Sequence, residues 1–348
     1  MKQLTFLKAD TFEWREVATP TINTSAQALV RPLAVTRCDL DLYIATGLYP
    51  LEGPFAFGHE IAGEVVDIGD AVGNVVPGDR VIVPFQISCG TCSNCRKGFT
   101  NACLSVPAFA SYGLAPIGQS EWGGGLSDLL RVPFADAMLV KIPPDLSLVD
   151  AAAMSDNAVD GYRTVAGPMR EYPGSDVLVV GGLAQSVALY AVKAAIALGA
   201  KRVVYRDFDQ RRLSVASALG AEAIATTYSA SMAIEEQFDI TVEGAGIPEA
   251  LVFALRSTAP CGICTGVSAG IGTTAEIPLR AMYSKGITYQ VSRVHARAAL
   301  EELLMCDSCS KFQPHSLIDA TLPFSSAIDA MGVDNTKTVF IADEIFAG

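Results

Sequence analysis

The sequence contains no run of lysine or arginine residues. Its 348 residues include 25 Lys and Arg against 37 Asp and Glu, which gives a formal net charge of −12. Phosphate groups are bound by clustered cations, so this composition argues against a nucleic-acid surface or an anionic-membrane surface. A small-molecule partner fits the charge better.

The sequence also lacks a long, uninterrupted apolar stretch. Lys8, Asp10 and Glu13 break the amino-terminal segment, so no signal-peptide core is present. The most apolar stretch, VALYAVKAAIALGA, contains Lys193 and is shorter than the roughly 20 residues that a membrane span needs. We therefore expect a soluble, cytoplasmic protein.

Nine cysteines in such a chain indicate reduced thiols or metal ligands rather than a disulfide framework. The length favours about two domains. Up to about residue 150, short β-rich runs alternate with Gly and Pro turns, as in EIAGEVVDIG and VPGDR. Beyond it, strand and helix patterns alternate, as in DVLVVGG and QSVALYAVKAAIALG, which predicts an α/β domain with a doubly wound parallel sheet.

The most specific signal is the loop SCGTCSNCRKGFTNAC. It presents four thiols in a C-x2-C-x2-C-x7-C arrangement at Cys89, Cys92, Cys95 and Cys103. Four thiolates from tight turns fill the tetrahedral coordination sphere of one zinc ion and leave no position for substrate. The loop therefore predicts a structural zinc; the alternative is four unliganded thiols.

Together with GHEIAGEVVDIG, VPGDRV and the βα pattern, this loop resembles the zinc-dependent medium-chain dehydrogenase family, whose best-known members are alcohol dehydrogenases. The resemblance covers essentially the whole chain. It implies a GroES-like, β-rich catalytic domain at 1–150 with a zinc lobe at about 86–105, completed by about 297–348. It also implies a Rossmann domain at 151–296 and a reaction in the cleft between the domains.

The resemblance further implies a catalytic zinc. Its ligands would be Cys38 in VTRCDLD, His59 in FGHEI and Asp156 in AAAMSDNAVDGY, where formaldehyde dehydrogenases of the family also carry Asp in an SD context. Glu60 would orient the metal site or exchange with water as a ligand. The alternative is a buried apolar Cys38, a hydrogen-bonded core His59 and a helix-capping Asp156.

The predicted dinucleotide loop is VVGGLAQSVAL. Gly181 occupies the first fingerprint position and is followed by Gly182, but Leu183 and Ser186 occupy the second and third glycine positions. The glycine motif is therefore eroded, although its strand-loop-helix context is intact. A Rossmann domain that binds no cofactor is the alternative.

An acidic residue stands where the fingerprint needs one. Asp207 lies 26 residues after Gly181, and a carboxylate there accepts hydrogen bonds from the ribose and repels a 2′-phosphate. NAD is thus favoured over NADP, a preference that Arg206 and Arg212 soften. Arg212 is included among the predicted cofactor contacts.

Two departures from the family bear on the substrate. Leu40 replaces the hydroxyl residue that passes the alcohol proton in alcohol dehydrogenases, so the proton would move through Glu60, Asp39, Tyr43 or water. Asp160 stands where a Thr near the nicotinamide is usual. It would either bind a polyol or cation, or transfer a proton, or be an exposed acid in a first helical turn.

Two further cysteine pairs have ligand-like spacing. Cys261 and Cys264 lie at a turn that leads into a Rossmann strand, and Cys306 and Cys309 follow a helix. A shared second structural zinc and ordinary thiols are both open.

The leading hypothesis is a zinc-dependent, NAD(P)-linked dehydrogenase that interconverts an alcohol and an aldehyde or ketone by hydride transfer. One alternative reduces a conjugated C=C bond or an iminium; another is a catalytically silent nucleotide-binding or structural homologue. The resemblance implies a homodimer or homotetramer paired through Rossmann edge strands near ICTGVSAG and GITYQVSR.

Overall fold

A computed structural model describes residues 1–229, 231–268, 274–306 and 309–343. Two compact units divide the chain. The first comprises Met1–Asp156, His295–Glu302 and Ile318–Gly348, and the second comprises Asn157–Val294 and Leu303–Leu317. From the sequence, the segment from about residue 297 to the end is expected to complete the first domain, whereas Leu303–Leu317 groups with the second unit.

The elements are numbered in chain order. As far as Asp156 they are β1 Lys2–Lys8, β2 Thr11–Glu16, β3 Ala28–Thr36, α1 Asp39–Ala45, β4 Phe55–Ala56, β5 Glu60–Ile68, β6 Arg80–Val83, α2 Ala115–Gly118, β7 Leu130–Val132, α3 Ala135–Met138, β8 Val140–Lys141 and α4 Leu148–Ala153. Then follow α5 Asn157–Glu171, β9 Asp176–Val180, α6 Gln185–Ala197, β10 Arg202–Asp207, α7 Gln210–Leu219, β11 Glu222–Ala225, β12 Phe238–Glu243, α8 Pro248–Ser257, β13 Thr258–Gly266, α9 Leu279–Lys285, β14 Thr288–Val291, α10 Ala296–Met305, α11 Cys309–Phe312, β15 Ala320–Pro323, α12 Ala327–Ala330 and β16 Thr338–Ile341.

The first unit is built on a seven-stranded sheet. Its strand order is β15-β16-β3-β5-β6-β8, and β7 pairs with β3. Strand β3 tolerates Pro32 because the register with β5 shifts between Pro32 and Ala34, and proline is accommodated in a sheet at a bulge. A second sheet of three strands, β2-β1-β4, packs a cluster of aromatic rings that includes Phe6, Phe55 and Phe57.

The second unit contains a six-stranded parallel sheet with the order β11-β10-β9-β12-β13-β14. In its central strand β9, Val177 to Val180 are all buried, as expected for a parallel strand covered on both faces. The strands follow chain order outward from β9 in both directions, to β10 and β11 on one side and to β12, β13 and β14 on the other. This is the doubly wound arrangement, so the predicted α/β fold class is confirmed. Helix α6 follows β9 directly and ends at Leu198, before Gly199 at φ +84°.

Within the described ranges, no helix combines the length and the apolar content that a membrane span needs.

Candidate metal centres and cofactor site

The four cysteines of the lobe converge on one point. The sulfur atoms of Cys89, Cys92, Cys95 and Cys103 all lie within 4.8 Å of one another. Two single-turn 3₁₀ helices, Cys95–Lys97 and Thr100–Ala102, fold the loop back on itself. Four soft donors in one cluster are the ligand set of a closed zinc site.

Hydrogen bonds in the lobe favour the thiolate forms of Cys89 and Cys92, whereas burial and the neighbouring thiols raise the pKa of Cys95 to about 12. The Ser105 hydroxyl donates to Cys89 Sγ at 3.2 Å, and the backbone amides of Cys92 and Leu104 donate to Cys89 Sγ and Cys92 Sγ at 3.4 Å each. Burial opposes ionisation of Cys89, but hydrogen bonds from Ser105, Thr91 and the Cys92 amide lower its pKa to about 5. The donor set therefore fits a divalent cation.

Cys38 lies between β3 and α1. Its backbone amide donates to Asp41 Oδ2 at 3.0 Å, which fixes the first turn of α1 in the manner of a capping box. Its neighbour Arg37 is 3% exposed. The Arg37 guanidinium donates to the carbonyl oxygens of Ala330, Met331, Val333 and Asn335 and to the Asn335 side chain. Arg37 thus fastens the Cys38 turn to the segment that follows α12.

His59 immediately precedes β5. Its Nε2 lies 3.4 Å from Asp156 Oδ2, and its Nδ1 lies 3.3 Å from Asp41 Oδ1 without hydrogen-bond geometry. The imidazole ring also lies 5.4 Å from the Phe85 ring, centroid to centroid. The start of β5 and the Phe85 ring therefore hold the His59 imidazole in place, and Asp41 lies beside its Nδ1.

Asp156 lies between α4 and α5. The preceding Ser155 accepts a hydrogen bond from the Ile61 backbone amide at 2.9 Å and donates to Ala152 O at 2.7 Å. This pair of bonds ties the turn to β5, two residues beyond His59. Asp156 Oδ2 lies 3.4 Å from Cys38 Sγ, so the turn brings a carboxylate to the thiol.

The three residues thus form one buried cluster. Their ligand atoms lie within 4.8 Å of one another, and exposure is 6% for Cys38, 1% for His59 and 6% for Asp156. Burial, with Asp156 adding to it, raises the pKa of the Cys38 thiol to about 12. A divalent cation would reverse this effect, because a coordinated thiol loses its proton. One sulfur, one nitrogen and one oxygen donor fit zinc with a fourth position left for another ligand.

Glu60, which directly follows His59 in the chain, forms an ion pair with Lys337. Their Oε1 and Nζ atoms are 2.6 Å apart, and neither side chain is exposed. Glu60 Oε2 has no hydrogen-bond partner among the described residues. Burial raises the pKa of Glu60 to about 8, while Lys337 opposes that rise.

The remaining predicted residues of this region lie close by in the chain but differ in setting. Leu40 packs against the apolar core of the first unit, and Tyr43 is half-buried on α1. Asp160, in the first turn of α5, is paired with Arg163 at 2.6 Å, and Arg163 also donates to Ser292 O at 2.7 Å. The Asp160 carboxylate is therefore held by its own helix.

The dinucleotide loop joins β9 to α6. The backbone amides of Leu183 and Ala184 donate to Ala245 O at 3.1 Å and Gly244 O at 2.9 Å. A Cβ atom at Gly182 would lie 2.6 Å from Ala245 Cα. The absence of a side chain at Gly182 therefore lets the segment after β12 approach closely. The loop delivers the chain to the amino terminus of a 13-residue helix, where a helix dipole favours an anion.

Asp207 ends β10 and is fully buried. Its Oδ2 accepts hydrogen bonds from Tyr205 Oη at 2.6 Å and Arg212 Nε at 2.7 Å. Its Oδ1 accepts from Arg212 Nη2 at 2.7 Å and from the Asp209 backbone amide at 3.0 Å. Asp207 and Arg212 are thus brought together with each other and with Tyr205, which the sequence analysis does not include.

The other cysteines behave differently from the two clusters. Cys264 is buried in β13, Cys261 is exposed and Cys306 is half-buried, while the side chain of Cys309 lies outside the described part. Among the described side chains, groups of three or more potential ligands occur in the two clusters above, and neither includes Cys261, Cys264 or Cys306.

Two family models match the sequence. The alcohol dehydrogenase GroES-like domain matches residues 24–144, and the zinc-binding dehydrogenase model matches residues 186–306. The sorbitol dehydrogenase of Bacillus subtilis is 32% identical over 265 residues, which are 73% of this chain and 70% of that protein. The chain belongs to the zinc-dependent medium-chain dehydrogenase family.

Two other comparisons agree with this membership of the medium-chain dehydrogenases. A glutathione-independent formaldehyde dehydrogenase of Pseudomonas aeruginosa is 34% identical over 201 residues, covering 56% of this chain and 49% of the relative, so the match spans about half of that protein. The structure of alcohol dehydrogenase TADH from Thermus sp. ATN1 superposes with a TM-score of 0.88 at 27% identity, covering 99% of this chain and all of that one.

Three residues beside the cluster of this medium-chain dehydrogenase are absent from the sequence analysis. Asp41 stands three positions after Cys38, the spacing of a capping box, and that spacing is a signal which could have found it. Arg37 is adjacent to Cys38, but its carbonyl partners lie about 295 residues away. Lys337 is 277 residues from Glu60, and no local pattern links the two.

Proposed function

We propose that this chain is a zinc-dependent, nicotinamide-linked dehydrogenase that interconverts an alcohol and an aldehyde or ketone. The observation that supports the proposal most directly is the buried cluster of Cys38, His59 and Asp156, in which three different donor atoms from three separate segments converge. A scaffold has no use for three converging ligands with a fourth position open.

Cys38, His59 and Asp156 would hold the catalytic zinc, and Asp41 would set the orientation of His59. When bound, the metal supplies a Lewis acid for the substrate oxygen, and the nicotinamide supplies a hydride donor or acceptor. The carboxylate of Asp156 donates less charge than a thiolate would, which makes the site more electrophilic. The surrounding burial excludes water from the three donors.

The lobe cysteines would hold a second, structural zinc, which gives two per chain. Four sulfur ligands close that site, so its role is to lower the free energy of a loop with little core of its own. The buried apolar side chains of this loop are those of Cys89, Cys95 and Cys103, and Val106 and Phe134 pack against them.

The nicotinamide cofactor would bind at the carboxyl edge of the parallel sheet, its pyrophosphate at the amino terminus of α6. The strand-loop-helix geometry from β9 to α6 supports this position. Gly181, Gly182 and Leu183 would line it. NAD(H) would be favoured over NADP(H), as predicted from Asp207.

Proton transfer needs a route that avoids Leu40. Glu60 is our choice, because it is fully buried beside His59 and Oε2 is not committed to Lys337. Tyr43 and Asp39 remain further candidates on α1. Asp160 is assigned a structural role, since Arg163 already neutralises its carboxylate.

Assembly into a homo-oligomer is proposed through β14, the edge strand of the parallel sheet. Val291 on this strand is 61% exposed and Tyr283 on α9 is 87% exposed. The segment ICTGVSAG lies partly in β13, an interior strand, so β14 is the part of the predicted interface that has a free edge. The cytoplasmic location also stays a prediction.

The test is a turnover panel. Purified, zinc-loaded protein is incubated with NAD⁺ or NADP⁺ and primary alcohols, secondary alcohols, polyols or formaldehyde, and nicotinamide reduction is followed by absorbance. We expect turnover with at least one alcohol or aldehyde class, a loss of at least 100-fold in Cys38→Ser, and no change in Cys261→Ser, an exposed thiol outside both clusters. Equal turnover in the Cys38 and Cys261 variants would refute the assigned centre.

A further inference from the structure

The acceptor capacity of Asp207 is already filled by the chain itself. An ionised carboxylate offers about four lone-pair sites. Tyr205 Oη and Arg212 Nε occupy two of them at Oδ2, and Arg212 Nη2 and the Asp209 amide occupy two at Oδ1. A ribose diol can bind this carboxylate only by displacing one of these donors.

Gly181 has a reason for its identity that does not involve a cofactor. A Cβ atom at this position would lie 2.2 Å from Tyr205 Oη and 2.4 Å from Asp207 Oδ2. The missing side chain therefore makes room for the Tyr205 hydroxyl and the Asp207 carboxylate. The first glycine and the acid, the two best-preserved parts of the fingerprint, are in contact with each other through Tyr205.

The charge of Asp207 is also compensated. Arg212 forms a bidentate pair with it, the strongest common geometry for this pair of groups, and both side chains are at most 8% exposed. Burial disfavours the Arg212 cation, but Asp207 more than offsets this and raises the pKa of Arg212. The pair is therefore neutral as a unit and does not repel a 2′-phosphate as a lone carboxylate does.

Arg212 also has N–H donors that do not bind Asp207. A guanidinium carries five N–H groups, and two of them point at Asp207. Its Nη1 lies 3.8 Å from Asp209 Oδ2, and the ring of Phe208, which is 60% exposed, lies 5.1 Å from its Cζ. An unpaired Arg212 would present these donors to a phosphate.

On this basis, and resting on the proposed function, we propose that Asp207 is a positioning residue for Arg212 and that the Tyr205–Asp207–Arg212 triad, rather than a free carboxylate, sets the choice between NAD and NADP. While the triad is intact, the Asp207 carboxylate neither binds the ribose diol strongly nor repels the 2′-phosphate strongly. Discrimination by the native protein is then less than about tenfold. Removal of the Asp207 charge and removal of the Tyr205 hydroxyl therefore shift the choice between the two nucleotides in opposite directions.

Two variants test this by binding rather than turnover. Dissociation constants of NADH and NADPH are measured by nucleotide fluorescence on zinc-loaded protein. Asp207→Asn removes the charge that holds Arg212, so NADPH should bind about tenfold more tightly and NADH should change by less than about threefold. Tyr205→Phe vacates one acceptor site on Asp207, so NADH should bind severalfold more tightly and NADPH should not.

Both variants preserve shape, and circular dichroism with thermal unfolding confirms that each is folded. The inference is overturned if Asp207→Asn weakens NADH more than tenfold and leaves NADPH unchanged, because Asp207 would then be the ribose acceptor itself. An unchanged ratio of the two constants in both variants overturns it as well. If the native protein binds neither nucleotide, the proposed function fails together with the inference, which separates that result from the first two.

Discussion

Lys337 and Glu60 are individual residues that lie beside the proposed metal ligands without belonging to the cluster of three. Their ion pair is fully buried next to His59, and it has no signature in the sequence because the partners are 277 residues apart. Cys38, His59 and Asp156 could be proposed from sequence because family motifs surround each of them. Of the residues that support them, Asp41 has a local signal in its capping-box spacing from Cys38. Arg37 and Lys337 depend on where the chain folds back, which local sequence does not encode.

Lys337→Met should destabilise the protein by about 1–3 kcal/mol, because Glu60 loses its buried partner and must take up a proton at neutral pH. Urea unfolding at neutral pH measures the loss. The matched control is Lys141→Met, which breaks the Lys141–Asp79 pair at the surface, where Lys141 is 55% exposed; it should change stability by less than about 1 kcal/mol. Equal effects in the two variants would contradict the assigned burial of the pair.

Glu243 provides a pH-dependent prediction. It ends β12 and is 2% exposed. Burial raises its pKa to about 7, against hydrogen bonds from the amides of Gly246 and Ala245. The folded state therefore holds this proton more tightly than the unfolded state, and stability from this group is lost as pH rises from about 4.5 to about 7.

Glu243→Gln should thus gain about 1–3 kcal/mol relative to the native protein between pH 5 and pH 8. Unfolding free energies of both proteins across that range test the sign. Glu249→Gln, an exposed residue in α8, is the control and should follow the native curve. A Glu243→Gln curve parallel to the native one would show that the carboxyl does not titrate in this window.

Among the helices and strands, hydrophobic periodicity predicted those whose apolar pattern is clear. The strand at Asp176–Val180 and the helix at Gln185–Ala197 follow the predicted segments DVLVVGG and QSVALYAVKAAIALG closely, because buried parallel strands and apolar helices have clear patterns. Helix α5 has weak intrinsic helix propensity, since Gly161, Gly167 and Pro168 all lower it. Tertiary packing on α6 explains why it forms.

Gly161 allows α5 and α6 to approach closely. A Cβ atom there would lie 2.5 Å from Tyr190 Cβ and 2.6 Å from Val187 O. Gly161→Ala should therefore destabilise the fold by about 1–3 kcal/mol through overpacking, as measured by chemical unfolding. Gly167→Ala in the same helix meets only Arg170 at 3.9 Å and should be neutral or stabilising. Two variants of equal stability would refute the close contact.

At the scale of the whole molecule, the family motifs predicted the fold class and the family, and both are confirmed by the sheet topology and the family models. The placement of Leu303–Leu317 with the second unit was not predicted. Helix α10 gives the reason: its pattern shows an apolar face but not the unit against which that face packs. The unit that receives a terminal segment is decided by tertiary contacts that a linear pattern does not carry.

Zinc content tests most directly the proposed pair of zinc ions, one held by the lobe cysteines and one by Cys38, His59 and Asp156. Of the chain's three histidines, His59 belongs to the catalytic cluster, and His315 is an exposed residue outside both clusters. Zinc per chain, measured by inductively coupled plasma mass spectrometry on dialysed protein, should be close to two in the native protein and in His315→Ala. It should be close to one in His59→Ala with the lobe zinc retained. A native content of one that His59→Ala leaves unchanged would contradict the account.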